Sequence, residues 1–403
     1  MTRVNEMSES GQDVSSLTQQ WPHYGEDEIE AVARVLRSGR ANSWFGTECR
    51  EFEHEFADYC GARHAIALAN GTVALELALR ALGIGPGDEV VVTPRSFVAS
   101  ATCASLCGAR PVFADVDADS QGITAESIRA VLTPRTRAIV VVHLAGRPCE
   151  MTPIMALAEA HDLKVIEDCA QAHGARYRGR VVGSIGHVGT FSFCQDKIMS
   201  TGGEGGMLVT SIREVWERAW MYKDHGKNLS ALQPAVESWK YRWLHDTIGT
   251  NMRMTEMQAA IGRVQLRKLD RWLERRAENA RAFETAFGDL AALRLTPPPP
   301  HVRHAYYKYY AFVRPEHLKS GWDRDRILQV AQSQGLPCFS GSCGEIYRER
   351  CFADNAQAPS RPLPHARALG ETSLMTLVHP TLAIDQVHRT AAGIAAVIRS
   401  ATA

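Results

Sequence analysis

Short apolar runs alternate with amphipathic stretches between about residues 60 and 210. The runs Val90–Val92 and Ile139–Val142 are continuously apolar, which is typical of strands covered on both faces. Strands are predicted at Ala65–Leu68, Glu89–Thr93, Pro111–Phe113, Ala138–His143, Lys164–Glu167, Thr190–Phe193 and Met207–Thr210, and helices at Val73–Leu82, Ser96–Cys107, Ala125–Leu132 and Pro153–His161. This alternation predicts an α/β fold with a mostly parallel seven-stranded sheet flanked by helices. Ligands bind such sheets beyond the carboxyl ends of the strands.

The pattern changes after residue 254, where one long helix is predicted over residues 254–285. Its apolar positions form a stripe that can face the core or another subunit. Pro297–Pro300 ends any helix and acts as a stiff connector. A strand-like aromatic stretch at Ala305–Val313 and helical stretches at 323–334 and 383–399 follow. We therefore expect a large domain over residues 21–285, whose N-terminal segment is able to pack on a small α+β domain over residues 286–403.

Composition and charge exclude several classes of protein. Lys+Arg and Asp+Glu both number 45 among 403 residues, and no charged stripe or tail indicates binding to nucleic acid or to a membrane surface. Residues 1–20 are polar, lack the apolar core of a signal peptide and are predicted to be a mobile tail. No apolar run approaches the ~20 residues that span a bilayer. Ten cysteines without a CxxC pair favour a reduced, cytoplasmic protein without a metal site.

The first candidate for chemistry is one lysine beside a glycine-rich loop. Lys197 follows the apolar run Phe191–Phe193 and precedes Gly202–Gly206. A lysine held in a cleft can form a Schiff base with a carbonyl cofactor such as pyridoxal phosphate (PLP), and glycines let the backbone approach that cofactor. The alternative is a solvated surface lysine next to an ordinary turn.

Three other segments offer groups that such a cofactor needs. Asn70-Gly71-Thr72 follows a strand and opens a helix, whose free N–H groups suit a phosphate, although a plain capped helix explains it too. Asp168 ends a strand, where its carboxylate can pair with a protonated pyridine nitrogen or simply cap the next helix. Asn251 and Arg253, near the start of the long helix, suit a second phosphate contact, although Thr250 or Asn251 can also be a plain helix cap.

Two single residues near strand ends have the same double interpretation. Phe97 can stack on a flat heterocycle, or it can be an ordinary core aromatic. Ser192 can donate its hydroxyl to a phosphate, or it can turn away on an alternating strand.

The order of these segments along the chain resembles that of a known family. The phosphate loop comes first, then the aromatic residue, then the run from Glu167 to Gly174 with Gln171 inside it, and finally Lys197 before its glycines. The chain resembles a fold-type I PLP enzyme of the aspartate aminotransferase superfamily, and more narrowly the DegT/DnrJ/StrS family of sugar aminotransferases. The resemblance extends from about Trp21 to the C-terminus.

The resemblance implies a role for each matching residue. Lys197 is expected to form the internal aldimine with pyridoxal 5'-phosphate, with pyridoxamine phosphate as intermediate, and Asp168 to pair with the pyridine nitrogen. Further cofactor contacts are expected from Gly71, Thr72, Phe97, Gln171 and Ser192. Asn251 is expected to reach the phosphate of the neighbouring subunit, which implies a homodimer with shared active sites. Substrate contacts are expected from Arg253 and His225.

The implied activity is that of a PLP-dependent aminotransferase, or transaminase. The amino group is expected to move from L-glutamate, or glutamine, to a nucleotide-linked keto-sugar, in amino-sugar biosynthesis for a surface polysaccharide or a secondary metabolite. Trp21–Tyr24 and Trp44–Gly46 are also similar to relatives that act on keto-cyclitols or on aminobenzoate precursors in antibiotic pathways, so this alternative stays open.

Three other functions fit the sequence less well. Sugar dehydratases on this fold carry histidine in place of the lysine, so Lys197 argues against that reaction. A nicotinamide-dependent dehydrogenase needs a Gly-x-Gly-x-x-Gly turn, which Asn70-Gly71-Thr72 does not supply. A non-catalytic PLP-binding regulatory protein is the remaining alternative of another class, although no added DNA-binding module is visible.

Overall fold

The computed structural model describes residues 21–228, 245–355 and 357–403, so the tail predicted at residues 1–20 lies outside the described residues. Their helices are α1 (Glu26–Ser38), α2 (Glu48–Cys60), α3 (Gly71–Ala81), α4 (Ala99–Leu106), α5 (Ala125–Arg129), α6 (Met151–Ala160), α7 (Arg213–Lys223), α8 (Glu256–Phe287), α9 (Arg324–Ser333), α10 (Arg350–Ala353), α11 (Pro364–Thr372) and α12 (Ile384–Ala401). None of these helices combines the length and the apolar composition needed to cross a membrane.

The strands form three sheets. They are β1 (His64–Leu68), β2 (Glu89–Val92), β3 (Arg110–Phe113), β4 (Thr136–Val142), β5 (Lys164–Asp168), β6 (Arg176–Tyr177), β7 (Arg180–Val181), β8 (Val188–Ser192), β9 (Gly206–Thr210), β10 (Leu293–Arg294), β11 (Val302–Arg303), β12 (Tyr309–Val313), β13 (Cys338–Phe339) and β14 (Ser373–Thr376). The central sheet has seven strands, as predicted, and their order is β1-β9-β8-β5-β4-β2-β3.

The direction of the strands brings the predicted site residues to one edge of this sheet. β8, β5, β4, β2 and β3 pair in parallel, and β9 is antiparallel to both β8 and β1. β1 therefore runs in the same direction as the parallel strands. Because their carboxyl ends share an edge, the segments that follow β1, β2, β5 and β8 meet there.

Both faces of the central sheet are buried, which explains its continuous apolar runs. On β4, Ile139 and Val141 belong to the core that α2 and α6 cover, whereas Val140 and Val142 belong to the core that α3, α4 and α7 cover. Successive side chains of a strand point to opposite faces, so a strand covered on both sides needs an apolar residue at every position.

The long helix α8 joins this core to a second, smaller one. Its Leu269 and Leu273 pack under the large sheet, and its Phe283 and Phe287 pack with α9 and α12 against an antiparallel sheet of order β10-β12-β14-β13. A single helix of 32 residues is therefore part of both cores.

The strand predicted at Ala305–Val313 begins only at Tyr309. Upstream of it, the N–H groups of Ala305 and Tyr307 bond to the carbonyls of Gly146 and Ala145, at 2.8 and 2.9 Å. The chain is held by the loop after β4 at these positions and cannot pair in the small sheet. This displacement carries residues 307 and 308 to the edge where the site lies.

Candidate active site

A cavity of about 590 Å³ lies at the carboxyl edge of the central sheet. Seven of the residues predicted for the cofactor line it: Gly71, Thr72, Phe97, Asp168, Gln171, Ser192 and Lys197. They come from segments up to 126 positions apart. The structure thus brings into one cavity the residues that the sequence analysis selected one by one.

The N-terminus of α3 forms one end of the cavity. The side chain of Asn70 accepts the N–H of Val73 at 3.0 Å, which leaves the N–H groups of Gly71 and Thr72 without an acceptor inside the helix. A Cβ on Gly71 would lie 2.6 Å from the Cβ of Ser192, so only glycine fits here. The Ser192 Oγ accepts the N–H of Cys194 at 3.3 Å, and its own proton remains to be donated. These donors and the positive helix end suit a phosphate.

Asp168 lies at the opposite end, buried at the end of β5. Its Oδ2 accepts the Ser100 hydroxyl at 2.7 Å, and its Oδ1 accepts the N–H of Ala170 at 3.1 Å. Burial raises the pKa of Asp168, against the effect of these two hydrogen bonds. A cationic N–H placed in the cavity would therefore stabilise its charged form.

A buried hydrogen-bond cluster directly behind Asp168 fixes the end of β5. The Glu167 carboxylate accepts the N–H groups of Gly183, Ile185 and Gly186 at 2.9, 2.7 and 2.6 Å, and it lies 3.0 Å from His143 Nε2. His143 Nδ1 accepts a backbone N–H at 3.1 Å, so its proton is on Nε2 and is donated to Glu167. Burial opposes ionisation of Glu167, yet these hydrogen bonds outweigh it and lower its pKa.

The same cluster contains donor atoms that a metal could use. Atoms of His143, Glu167 and Cys169 lie within 4.8 Å of one another. Burial, however, raises the pKa of the Cys169 thiol well above its usual value. His143 and Glu167 are already hydrogen-bonded to each other, and Glu167 also accepts backbone N–H groups. We therefore assign this cluster a structural role.

Glu167→Ala is expected to destabilise the protein by about 3 kcal/mol, because it leaves buried N–H groups without an acceptor. Urea denaturation should show a lower midpoint with an unchanged slope. Glu159→Ala, which removes an exposed carboxylate on α6, is the matched control and should leave the midpoint unchanged. An equal midpoint for both variants would contradict this role.

Gln171 is oriented by a turn with an unusual backbone. Its Oε1 accepts the N–H of Ala145 at 2.8 Å, which directs its amide N–H₂ elsewhere. Ala145 has φ of +57°, a left-handed conformation that costs a non-glycine residue energy and is concentrated at functional sites. The turn thus fixes which end of the Gln171 amide is left to donate a hydrogen bond.

Lys197 is held by its backbone, and its side chain reaches into the cavity. Its carbonyl accepts the indole N–H of Trp21 at 2.8 Å, and its own N–H bonds to Cys194 at 3.1 Å. Its Nζ lies 3.7 Å from Asp196 and 5.3 Å from the ring centre of Tyr307. The Tyr307 hydroxyl donates to Asp196. Trp21 also stacks against His379 of the small sheet's loop, so the N-terminal segment contacts both parts of the chain.

Phe97 stands at the mouth of the cavity with 66% of its surface exposed. A ring this exposed does not pack in a core, so the interpretation of Phe97 as an ordinary core aromatic is wrong. Phe97 instead has a free ring face. Such a face can cover a flat heterocycle.

Asn251, Arg253 and His225 do not line this cavity. Asn251 pairs with Asp224 in a β-bridge, and Arg253 makes an ion pair of 2.6 Å with the buried carboxylate of Asp224. His225 is exposed and has φ of +61°. Within one chain, Asn251 and Arg253 form a separate cluster with Asp224. Their predicted roles, and that of His225, in an active site shared with a neighbouring subunit stay predictions.

The sequence analysis missed several residues that shape the cavity. Ser100 was assigned only to a helix, although it donates to Asp168. Tyr307 and Lys308 were assigned to a strand, although they lie beside Lys197. Ser100 lies in the first turn of α4, shortly after the end of β2, and this position of a hydroxyl could have indicated a residue of the site. No local signal marks residues 307 and 308, because tertiary hydrogen bonds place them.

The residues present fit PLP. Donors for a phosphate lie at one end, a buried carboxylate for a pyridine nitrogen at the other, a free aromatic face at the mouth and an amide beside the carboxylate. Lys197 is the amine that can join an aldehyde in the same cavity.

Comparisons with known proteins agree with this geometry. A family model described as the DegT/DnrJ/EryC1/StrS aminotransferase family matches residues 22–395. The X-ray structure of an aminotransferase from Psychrobacter cryohalolentis is 50% identical, with a TM-score of 0.93, and the match covers 95% of this chain and 99% of that one. The dTDP-3-amino-3,4,6-trideoxy-alpha-D-glucose transaminase of Streptomyces venezuelae is 36% identical over 359 residues, 89% of each chain. GDP-perosamine synthase of Caulobacter vibrioides is 44% identical over 290 residues, 71% of this chain and 74% of that protein.

Proposed function

Because this chain belongs to the DegT/DnrJ/EryC1/StrS aminotransferase family, we propose that it moves the amino group of L-glutamate to a nucleotide-linked keto-sugar in amino-sugar biosynthesis. The predicted family, the fold-type I architecture and the aminotransferase activity are confirmed. Aminotransferases of this family depend on PLP. The observation that carries the proposal is the placement of Lys197 and Asp168 in one cavity that fits this cofactor.

Each residue of the cavity has a defined task in this proposal. When bound, PLP supplies a conjugated ring that takes up the electrons released at the donor's α-carbon. The Lys197 amine removes the proton from that carbon, a contribution of roughly 10²–10⁴-fold for a positioned general base. With PLP bound, Asp168 would keep the pyridine nitrogen protonated, and the free N–H₂ of Gln171 would be available to donate to the ring hydroxyl. Phe97 covers one face of the ring and excludes water from it.

The phosphate is proposed to bind at the start of α3. The N–H groups of Gly71 and Thr72 and the hydroxyl of Ser192 converge on this point, and the helix end adds a partial positive charge. These residues would hold the phosphate of PLP and so fix the cofactor in the cavity that Lys197 lines.

A homodimer is proposed to complete each site, with Asn251 and Arg253 supplied by the partner. Support comes from large exposed apolar residues in the chain segments near the Asp224 cluster. Ile248 is 91% exposed and Phe45 is 74% exposed, and Trp44 beside Phe45 bonds to Asp224 at 2.9 Å. Large apolar side chains exposed together indicate a surface that another chain covers.

Subunit mixing tests the shared site. Lys197→Ala and Asn251→Ala are each expected to be nearly inactive alone. If a partner supplies Asn251, refolding an equal mixture should restore about a quarter of wild-type activity, because half the dimers are mixed and each has one intact site. The restored rate of 2-oxoglutarate formation is the measurement, and an unrefolded mixture is the control. A mixture that stays inactive would contradict the shared site.

A substrate panel tests the proposed reaction. The enzyme, supplied with PLP, is incubated with L-glutamate and with keto-sugars on different nucleotides or with keto-cyclitols, and 2-oxoglutarate is measured. Amination of a nucleotide-linked keto-sugar is expected. Amination of only a keto-cyclitol or an aminobenzoate precursor would replace it with the alternative acceptor class. A bound cofactor whose visible band does not respond to glutamate would favour the regulatory protein.

A further inference from the structure

A second cavity of about 750 Å³ continues from the cofactor cavity toward the small sheet. The two share Phe97, Gln171 and Lys197 among their lining residues. Residues 341–343 and 349–351 line this second cavity together with Lys308. A substrate held at Lys197 can therefore extend into this second cavity.

Lys308 is a half-buried lysine whose ammonium group contacts the ring of Tyr307 and has no ion-pair partner among the described residues. Its Nζ lies 4.7 Å from the ring centre of Tyr307, and the Nζ of Lys197 lies 5.3 Å from the same point. The two Nζ atoms are therefore at most about 10 Å apart. In the parts of the chain that the structure describes, no side-chain hydrogen bond and no ion pair engages Lys308 Nζ.

The charges around Lys308 do not balance. Lys197 and Arg276 act on it as like charges, and Asp196 is the carboxylate that acts against them. Asp196 already accepts the hydroxyl of Tyr307 and lies 3.7 Å from Lys197. Burial lowers the pKa of Lys308 to about 8, and Arg276 and Lys197 contribute in the same direction. An anion bound at Lys308 would remove this excess of positive charge.

We propose that Lys308 binds a carboxylate of the amino-acid donor. This rests on the proposed function, since the donor's amine must take the place of the Lys197 amine. In a glutamate the amine and the side-chain carboxylate are roughly 6 Å apart when the chain is extended, from bonds of about 1.5 Å. That span lies within the upper limit of about 10 Å on the distance between the two Nζ atoms. The nearby Asp196 carboxylate penalises a doubly charged phosphate more than a singly charged carboxylate, so the donor is favoured over the nucleotide.

Calorimetric titration of the PLP-loaded enzyme with 2-oxoglutarate tests this site without turnover, because this keto acid carries both carboxylates and no amine. Lys308→Met is expected to weaken its binding at least about tenfold, as loss of a charge-assisted hydrogen bond does. Lys308→Arg keeps the charge and should stay within about threefold of wild type. Lys319→Met, in the exposed loop after β12, is the matched control and should not change binding.

The pH dependence gives a second measurement. Only protonated Lys308 pairs with a carboxylate, so binding by the wild type should weaken as the pH rises through about 8, and Lys308→Arg should remove that weakening. The titratable and charged groups near Lys308, besides Asp196, Lys197 and Arg276, are Tyr307 on its own segment, His379, and the cavity residues Tyr310, Cys343, Glu349, Arg350 and Cys351. They are unchanged in this variant, so they do not account for the difference.

Three results separate the possible failures. Wild-type 2-oxoglutarate binding by Lys308→Met, with its visible band and unfolding midpoint intact, would overturn the donor site alone. Weaker binding of the nucleotide dTDP, with 2-oxoglutarate unaffected, would also overturn it and assign Lys308 to the acceptor's phosphates. If L-glutamate does not change the visible absorption band of the PLP-loaded wild-type enzyme, the proposed function and the donor site are both overturned.

Discussion

Lys197→Ala is expected to reduce transamination by at least about 10⁴-fold, to the detection limit of the assay. The substitution removes the amine that moves the proton at the donor's α-carbon, which alone contributes roughly 10²–10⁴-fold. It also removes the covalent anchor that holds PLP in the reactive position. The rate of 2-oxoglutarate formation from L-glutamate measures the loss, and borohydride treatment followed by mass spectrometry shows whether the cofactor is still attached.

Lys164→Ala is the matched control for this variant. Lys164 begins β5 at the opposite end of the strand from Asp168, and its Nζ pairs with Asp162 at 3.0 Å near the surface. Its replacement should leave the rate and the attached cofactor unchanged. Residual transamination by Lys197→Ala above about a hundredth of the wild-type rate would contradict the assignment of Lys197 as the catalytic base.

The large domain was predictable because its strands are buried on both faces. Continuous apolar runs such as Ile139–Val142 mark such strands without any knowledge of their neighbours, and all seven strands of the central sheet lie at the predicted places. The strands β6, β7 and β11 are only two residues long and were not predicted. Their pairing depends on contacts between distant parts of the chain, and so short a run carries no periodicity.

The part of the candidate site that consists of residues at or after strand ends was predictable. Residues that follow parallel strands share an edge of the sheet, so Phe97, Asp168 and Ser192 were expected together. The hydrogen bonds that orient these residues could not be predicted, since Ser100 approaches Asp168 only when α4 packs on the sheet against β2, β3 and β4. The position of Lys308 in the site could not be predicted either, because it depends on hydrogen bonds to Ala145 and Gly146 that hold its segment away from the small sheet.

Asp168→Asn is expected to slow the reaction with L-glutamate by roughly 10²–10⁴-fold. Asp168 is buried, and burial raises the pKa of its carboxyl, so its charged form depends on a cationic partner in the cavity. Breaking a buried pair of this kind costs about 3–5 kcal/mol, and each 1.36 kcal/mol is a factor of ten in rate. An uncharged amide at this position cannot keep the pyridine nitrogen protonated, so the electrons at the donor's α-carbon are stabilised less. Stopped-flow absorbance of the visible band measures this step directly.

Ser100→Ala distinguishes the charge of Asp168 from its orientation. It removes the hydroxyl that donates to Asp168 Oδ2 at 2.7 Å and keeps the carboxylate, so the expected loss is about tenfold, from one buried hydrogen bond. A PLP analogue methylated at the pyridine nitrogen carries a permanent positive charge and should restore part of the rate of Asp168→Asn, but not that of Ser100→Ala. Equal losses in the two variants, or no rescue of Asp168→Asn, would mean that Asp168 acts by positioning alone. Rescue confined to Asp168→Asn would identify the charge on the ring nitrogen as the quantity that Asp168 controls.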